Sequence, residues 1–116
     1  MFIEPVLRVA RPSDDLDALL PFYRDGLQLD VLHRFEDHDG FHGVILGRPG
    51  ATYHLEFTRK YGHCAGHAPR EDNLLVFYLP DTERWQEAVA RMKAAGFELE
   101  DSDGYRVVLQ HSNWSS

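Results

Sequence analysis

The sequence has a single cysteine and lacks both a long apolar run and a signal peptide pattern, which excludes several large classes of protein. Cys64 is the single cysteine among 116 residues, so no internal disulfide can form, which fits a reducing cytoplasm. No apolar run approaches the length that spans a bilayer. The first five residues lack the basic segment and apolar run of a signal peptide. We therefore expect a cytoplasmic protein with no membrane partner.

The chain is also poor in positive charge and in phosphate-binding motifs. Twelve lysines and arginines stand against nineteen acidic residues, and the formal net charge of −7 argues against nucleic acid and anionic membranes as partners. No glycine-rich phosphate loop of either common kind is present. With 43% hydrophobic and 27% charged residues, the composition is that of a soluble globular protein. We predict one domain, residues 1–116, with a neutral or cationic ligand.

Runs of β-branched and apolar residues, separated by turn signals, predict six strands. The strongest hairpin signal is Asp39-Gly40. The predicted strands cover residues 6–10, 29–35, 41–46, 53–58, 74–79 and 105–110. In the second strand, strict alternation would place Leu29, Val31, His33 and Phe35 on one face.

Two amphipathic helices are predicted, each following a strand and a proline. Their apolar stripes have helical spacing, and we expect Pro21 to kink the first helix without breaking it. Gly26 and Gly96 are expected to end the two helices. Asp81 or Thr82 should cap the second. The stripes are Leu16, Leu19, Leu20 and Tyr23 in the first helix, and Trp85, Ala88, Val89 and Met92 in the second.

The two helical passages repeat at a constant offset, since position 16 aligns with 85 and position 23 with 92. Such a repeat predicts two supersecondary units, each with a helix covering its own sheet. The alternative is two unrelated strand–helix pairs in one α+β domain. We predict a first β-α-β-β-β unit at 1–60, a linker at 61–73 and a second unit at 74–116.

The second unit is shorter than the first by about a dozen residues, and the missing residues would lie near 98–101. Either this copy has lost a hairpin, or the sequence omits residues that the protein contains, and we favour the second account. A Cα–Cα step much longer than about 3.8 Å in this region would show an omission.

The fourth predicted strand carries the most informative polar residues. Tyr53, Leu55 and Phe57 alternate with His54, Glu56 and Thr58. An imidazole, a carboxylate and a hydroxyl in a row are typical of the wall of a ligand cavity. The alternative is a half-exposed strand whose polar face meets solvent. His54 and Glu56 could act as a general base pair, or they could only satisfy each other as a buried pair.

Three segments together resemble the vicinal oxygen chelate superfamily, which includes glyoxalase I, the bleomycin-resistance proteins and the extradiol dioxygenases. They are the helix end at 22–27, the strand at 53–57 and the Asp-x-Asp-Gly-Tyr turn at 101–106. The resemblance covers nearly the whole chain. It implies an α+β fold in which two tandem β-α-β-β-β units form a curved mixed sheet around a cavity, with helices on the convex side.

The metal-dependent members of that superfamily take one ligand from each of four strands. On this sequence the ligand positions fall on Glu4, Glu56, Leu74 or the adjacent Asn73, and Val108. Leucine and valine offer no donor, and two carboxylates are too few for a divalent metal of this class. We therefore expect no cofactor and regard the inherited metal site as lost. A substitute site that uses a histidine stays open.

The resemblance and the strand pattern together suggest a ligand-binding set. The candidate residues are Arg8, Phe35, His54, Glu56, Thr58 and Tyr105. Our first hypothesis is a module that sequesters a small molecule, as bleomycin-resistance proteins do. The second is a glyoxalase- or dioxygenase-type enzyme with altered metal ligands. The third is a subunit used mainly for assembly, and the resemblance implies a homodimer.

The predicted linker contains one further cluster of soft donors, at 63–67. His63, Cys64 and His67 could bind zinc, but a fourth ligand is not apparent, and glycines leave the segment unorganised. We interpret it as a surface loop.

Overall fold

The computed structural model describes residues 5–97 and 100–112. The strands are β1 Leu7–Pro12, β2 Asp30–His38, β3 Phe41–Gly47, β4 Tyr53–Lys60, β5 Leu74–Tyr78 and β6 Arg106–Gln110. Helical structure comprises a 3₁₀ turn at Asp17–Leu19, a π-helix at Pro21–Gly26 and the α-helix α1 at Thr82–Ala94. No helix in these ranges is long and apolar enough to cross a membrane.

The strands form two sheets, and each sheet contains one parallel pair made by the first and last strands of its half of the chain. The first sheet has the order β1-β4-β3-β2, with β1 parallel to β4 and the other pairs antiparallel. The second sheet is β5 paired in parallel with β6. In each half, therefore, the strand before the helical passage pairs in parallel with the last strand of that half. The predicted α+β fold of repeated units is confirmed.

The second half has two strands where the first has four, within the part of the chain that the structure describes. After α1 the chain reaches β6 through the turn at 101–105, where the Asp101 amide donates to the Tyr105 carbonyl at 2.9 Å. Residues 98 and 99, where an omission was predicted, lie outside the described residues. Whether the sequence omits residues there stays a prediction.

The first helical passage differs from the kinked α-helix that we expected. A 3₁₀ turn comes first, and a π-helix then begins at Pro21, with the Leu27 amide donating to the Phe22 carbonyl five residues earlier at 3.0 Å. Proline has no amide hydrogen to donate, so it favours a change of helix type at this point. The predicted apolar stripe is nevertheless buried, and Leu19 and Tyr23 are both 0% exposed.

Helix α1 begins and ends as predicted. The Asp81 carboxylate accepts a hydrogen bond from the Arg84 amide at 3.1 Å, which is an N-cap. Gly96 follows the helix with φ of +85°, the left-handed conformation that glycine adopts most easily. Gly26, expected to play the same part, is needed for another reason: a side chain there would overlap the sulfur of Met92.

The hydrophobic core lies between the helical segments and one face of the sheets. Its largest fully buried side chains include Phe22, Tyr23 and Phe57, whose rings form a chain with centroid distances of 4.7 and 4.8 Å. Val107 on β6 and Met92 on α1 belong to the same core. The two halves therefore share one core, and the helices cover only one face of the sheets.

Strand β2 corrects the predicted alternation. Val31 pairs with Leu46 and His33 with Ile45, so Leu32 is an extra residue in a bulge. Because neighbouring residues of β3 point to opposite faces, Val31 and His33 also lie on opposite faces. Beyond the strand, Asp39 and Gly40 have φ of +50° and +83°, which confirms the predicted hairpin turn.

The segment at 61–73 is organised by contacts with both halves, although its glycines predicted otherwise. The Asp14 carboxylate accepts hydrogen bonds from the Ala65 and Gly66 amides at 2.7 and 2.8 Å. The ring of His67 packs against Gly104, where a side chain would not fit. These contacts hold the segment against the turn that leads into β6.

Candidate functional site

The polar residues of β4 lie on the face of the first sheet that the helices leave uncovered. Leu55 and Phe57 are buried in the core, with 3% and 1% exposure. Because side chains alternate along a strand, His54, Glu56 and Thr58 point to the opposite face. The orientation on which the cavity prediction depends is thus the observed one.

Arg8 on β1 connects two of these side chains. The parallel register places it directly beside His54. Its Nε donates to His54 Nδ1 at 3.2 Å, and its Nη1 lies 3.5 Å from Glu56 Oε2. An arginine nitrogen is always a donor, so Nδ1 must be an acceptor, and the proton of a neutral His54 lies on Nε2.

This trio combines a half-exposed cation with a mostly covered carboxylate. The Arg8 and Glu56 side chains are 47% and 17% exposed. A pair of this kind contributes only about 0–1 kcal/mol to stability. Its larger effect is on charge, since the guanidinium balances the carboxylate on this face. One guanidinium nitrogen, Glu56 Oε1 and His54 Nε2 then remain for a ligand.

The same face continues onto β3 and β2. Gly43 pairs with Thr58 on one side and with Phe35 on the other. The Phe35 ring lies over Gly43, where any larger residue would displace it. His33 stacks beside Phe35 with ring centroids 6.1 Å apart. Five of the six predicted residues, all except Tyr105, therefore lie on one continuous surface, the Arg8–Glu56 face.

Tyr105 lies apart from that surface. The Arg11 guanidinium sits 4.2 Å from the centroid of its ring, and Arg11 pairs with the buried Phe57 of β4. Tyr105 therefore belongs to the side of the sheet that carries the core, and the Arg8–Glu56 face is built without it.

The turn that contains Tyr105 forms a buried polar network that the sequence pattern marked only as a motif. The Tyr23 hydroxyl donates to Asp101 Oδ2 at 2.7 Å. Asp101 Oδ1 accepts from the amides of Asp103 and Tyr105 at 2.8 and 3.0 Å. Burial, and then the negative charge of Asp101, raise the pKa of Tyr23 well above its ordinary value. This network joins the two halves, and we assign it a structural role.

The inherited metal positions do not form a ligand set. Glu56 contacts the Arg8 guanidinium, and Leu74 and Val108 carry no donor. Asn73, the alternative to Leu74, is exposed, and Glu4 lies outside the described residues. Among residues 5–97 and 100–112, no group of three or more His, Cys, Asp or Glu side chains could hold a metal ion. The residues present therefore do not fit the metal of this superfamily.

The second sheet contributes an apolar surface on its own uncovered face. Leu75 and Phe77 of β5 pack against the core. Leu74 and Val76 alternate with them and are 49% and 41% exposed. The protein thus presents a polar, charge-balanced surface on one sheet and an apolar surface on the other.

A curved mixed sheet with helices on one face and a polar fourth strand on the other is the architecture of the vicinal oxygen chelate superfamily. Comparison with known proteins shows the same class. The chain belongs to the YycE-like family: residues 7–58 match the YycE-like N-terminal domain, and residues 72–99 match the YycE-like C-terminal domain.

One relative and two solved structures illustrate the likeness. The YycE protein of Bacillus subtilis strain 168 is 36% identical over 121 residues, covering 91% of this chain and 87% of its own. A crystal structure of a B. subtilis YycE protein of unknown function, described as a candidate glyoxalase or fosfomycin-resistance protein, has a TM-score of 0.86 at 34% identity, covering 97% and 93% of the two chains. The trypanothione-dependent glyoxalase I of Leishmania major has a TM-score of 0.72 at 25% identity, covering 91% and 85%.

Proposed function

We propose that this protein binds a small molecule on the Arg8–Glu56 face without the metal site of its superfamily. The observation that carries the proposal is the contact of Arg8 with both His54 and Glu56, at 3.2 and 3.5 Å. A guanidinium beside Glu56 supplies the positive charge that balances this carboxylate. The face then offers hydrogen-bond donors and acceptors with little net charge.

The chemistry of the face suggests the class of ligand. Charge balance favours a neutral or zwitterionic molecule over a simple cation. This narrows the earlier expectation, drawn from net charge, of a neutral or cationic ligand. Phe35 and His33, with stacked rings, favour a ligand that carries an aromatic ring. A bleomycin-type cationic glycopeptide fits less well, because its charge would meet Arg8 as well as Glu56.

A matched set of indoles tests this proposal, since tryptophan, tryptamine and indole-3-acetate share one ring and differ in charge. We expect calorimetry to show tightest binding of the zwitterion. Arg8→Met leaves Glu56 unbalanced and should shift the preference toward tryptamine, and Glu56→Gln should shift it toward indole-3-acetate, each by about threefold to tenfold. Arg70→Met and Asp72→Asn, which alter an exposed ion pair elsewhere, are the controls. If the two variants do not shift the charge preference in opposite directions, the proposal is refuted.

The alternative is a metal-dependent lyase or dioxygenase with altered ligands. Stoichiometric iron, manganese, nickel or zinc in the purified protein, lost in Glu56→Ala, would establish it. The B. subtilis relative described as a candidate glyoxalase or fosfomycin-resistance protein is the reason to run this assay. Nothing in the arrangement of the described residues favours it over binding alone.

We also propose that two copies associate as a homodimer through the uncovered face of the second sheet. Leu74 and Val76 expose apolar side chains on β5, which has one neighbour in its sheet, β6, within the described part of the chain. Burying such residues against a second copy would remove them from water. We expect a dimer in sedimentation at micromolar concentration and a monomer for Leu74→Lys/Val76→Lys. A monomeric wild type would refute the dimer.

A further inference from the structure

A cavity lies on the opposite side of the sheets from the Arg8–Glu56 face. It has a volume of about 450 Å³ and is bounded by α1, the end of the π-helix and the turn between β3 and β4. Tyr53 of β4 and Phe77 of β5 line it, with ring centroids 6.0 Å apart, so both halves contribute to its wall. Its size falls within the range of ordinary ligand pockets, about 300–1,000 Å³.

Helix α1 forms one wall of this cavity with residues spaced by about one turn. Arg84, Ala88 and Arg91 line it together. Ala88 is buried and small, which leaves room between the helix and the sheet. Arg91 Nε donates to the Gly26 carbonyl at 3.2 Å, which ties α1 to the π-helix and leaves the two terminal nitrogens of its guanidinium for other partners.

The rim of the cavity is positively charged, although the chain as a whole is acidic. Arg48, Arg84 and Arg91 line it together with one acid, Glu87. None of the three arginines takes part in the ion pairs found among the described residues. Burial raises the pKa of Tyr53, and the charge of Arg48 partly opposes that rise.

Part of the cavity wall is apolar. Leu27, Phe77 and Leu109 line it together with the arginines. A ligand with an apolar body could bury that body here and leave a charged group at the rim, where arginine forks match the oxygens of carboxylate and phosphate groups. Glu87 reduces the positive charge to a net of two, which suits a monoanion or dianion.

We infer that this arginine cavity binds a small organic anion with an apolar body, at a site separate from the Arg8–Glu56 face. The probes are 1-naphthoate and 1-naphthyl phosphate, with 1-naphthalenemethanol as the neutral analogue of the same ring system. We expect either anion to bind at least about tenfold more tightly than the alcohol, because the arginines recognise its charge. Equal binding of all three would overturn the inference.

Substitutions at the rim locate the bound anion. Arg48 and Arg84 are exposed, so Arg48→Gln and Arg84→Gln should fold normally and weaken binding of the anion about threefold to tenfold each. Arg70→Gln, whose arginine lies in the 61–73 segment and pairs with Asp72, is the matched control for the loss of one positive charge. A thermal unfolding midpoint that matches wild type shows that each variant is folded.

A second pair of variants separates this inference from the proposed function. Arg8→Met and Glu56→Gln alter the opposite face and should leave unchanged the component of 1-naphthoate binding that Arg48→Gln and Arg84→Gln weaken. If these two variants abolish binding while Arg48→Gln and Arg84→Gln do not, the anion binds at the Arg8–Glu56 face and the arginine cavity is refuted as its site. If only the rim variants weaken binding, the inference holds whatever the indole experiment shows.

Discussion

The hydrogen bond between Tyr23 and Asp101 provides the sharpest test of how the two halves are joined. Tyr23→Phe removes only the hydroxyl group, which donates to Asp101 Oδ2 at 2.7 Å. Because Asp101 is only 6% exposed, its Oδ2 then lacks a donor inside the protein. A buried hydrogen bond to a charged group contributes about 1.5–3 kcal/mol. We expect the free energy of unfolding, measured by urea denaturation, to fall by that amount, which lowers the midpoint by about 1 M or more.

Tyr61→Phe is the matched control, because Tyr61 is 49% exposed and its hydroxyl makes no hydrogen bond with the residues that the structure describes. It should change the free energy of unfolding by no more than about 0.5 kcal/mol. Equal effects of the two substitutions would refute the assignment of Tyr23 and Asp101 as a buried link between the halves.

The same link predicts a pH dependence. Burial and Asp101 raise the pKa of Tyr23 in the folded state above the ordinary value of 10.0, so folding favours the protonated phenol. This contribution is fully present below pH 10 and is lost as pH rises beyond it, by up to about 1.4 kcal/mol per pH unit. Wild type should therefore lose more stability above pH 10 than Tyr23→Phe, in urea titrations at matched ionic strength.

Two further substitutions test local contacts. Gly26→Ala places a methyl group against the Met92 sulfur and should destabilise the protein by about 1–3 kcal/mol. Met92→Ala also destabilises the core, but the double variant should lose less than the sum of the two single losses, and purely additive effects would contradict the contact. Asp14→Ala removes the acceptor for the Ala65 and Gly66 amides, so limited proteolysis should cut 61–73 faster than in the exposed control Asp30→Ala. The hydrogen bonds from these two amides lower the pKa of Asp14 below its ordinary value of 3.8. In wild type, the protection of 61–73 against proteolysis should therefore fade as pH falls below 3.8.

Local pattern predicted the parts of this fold that depend on one element at a time. The alternation of β4 separated Leu55 and Phe57 from His54 and Glu56, and burial agrees with that division. The stripe through Tyr23 marked the buried side of the first helical passage. In these cases the periodicity of side chains alone decides which face meets the core.

The failures have a common physical cause, which is competition between local geometry and the requirements of packing. Pro21 produced a 3₁₀ turn and a π-helix in place of a kinked helix, because the buried leucines could be retained while the hydrogen-bond pattern changed. Leu32 entered a bulge that shifted the faces of Val31 and His33. Period counting assumes regular elements and cannot place such an irregularity.

The candidate sites were harder still to predict from sequence, because they bring together residues that are far apart in the chain. The contact of Arg8 with Glu56 depends on the parallel register of β1 and β4, which joins positions 48 residues apart. The arginine cavity brings Arg48, Arg84 and Arg91 together from a turn and a helix in different halves. No short motif connects these positions, so only the folded chain reveals that they are neighbours.

The shared core also has a consequence for how the protein is made. Tyr23 is synthesised 78 residues before Asp101, and Phe22 well before its ring neighbour Phe97. The amino-terminal half therefore leaves the ribosome with aromatic surface that its own residues cannot cover, and it must wait for the later half before its folding is complete. During that interval this surface is the natural target for a chaperone, and for self-association if none is at hand.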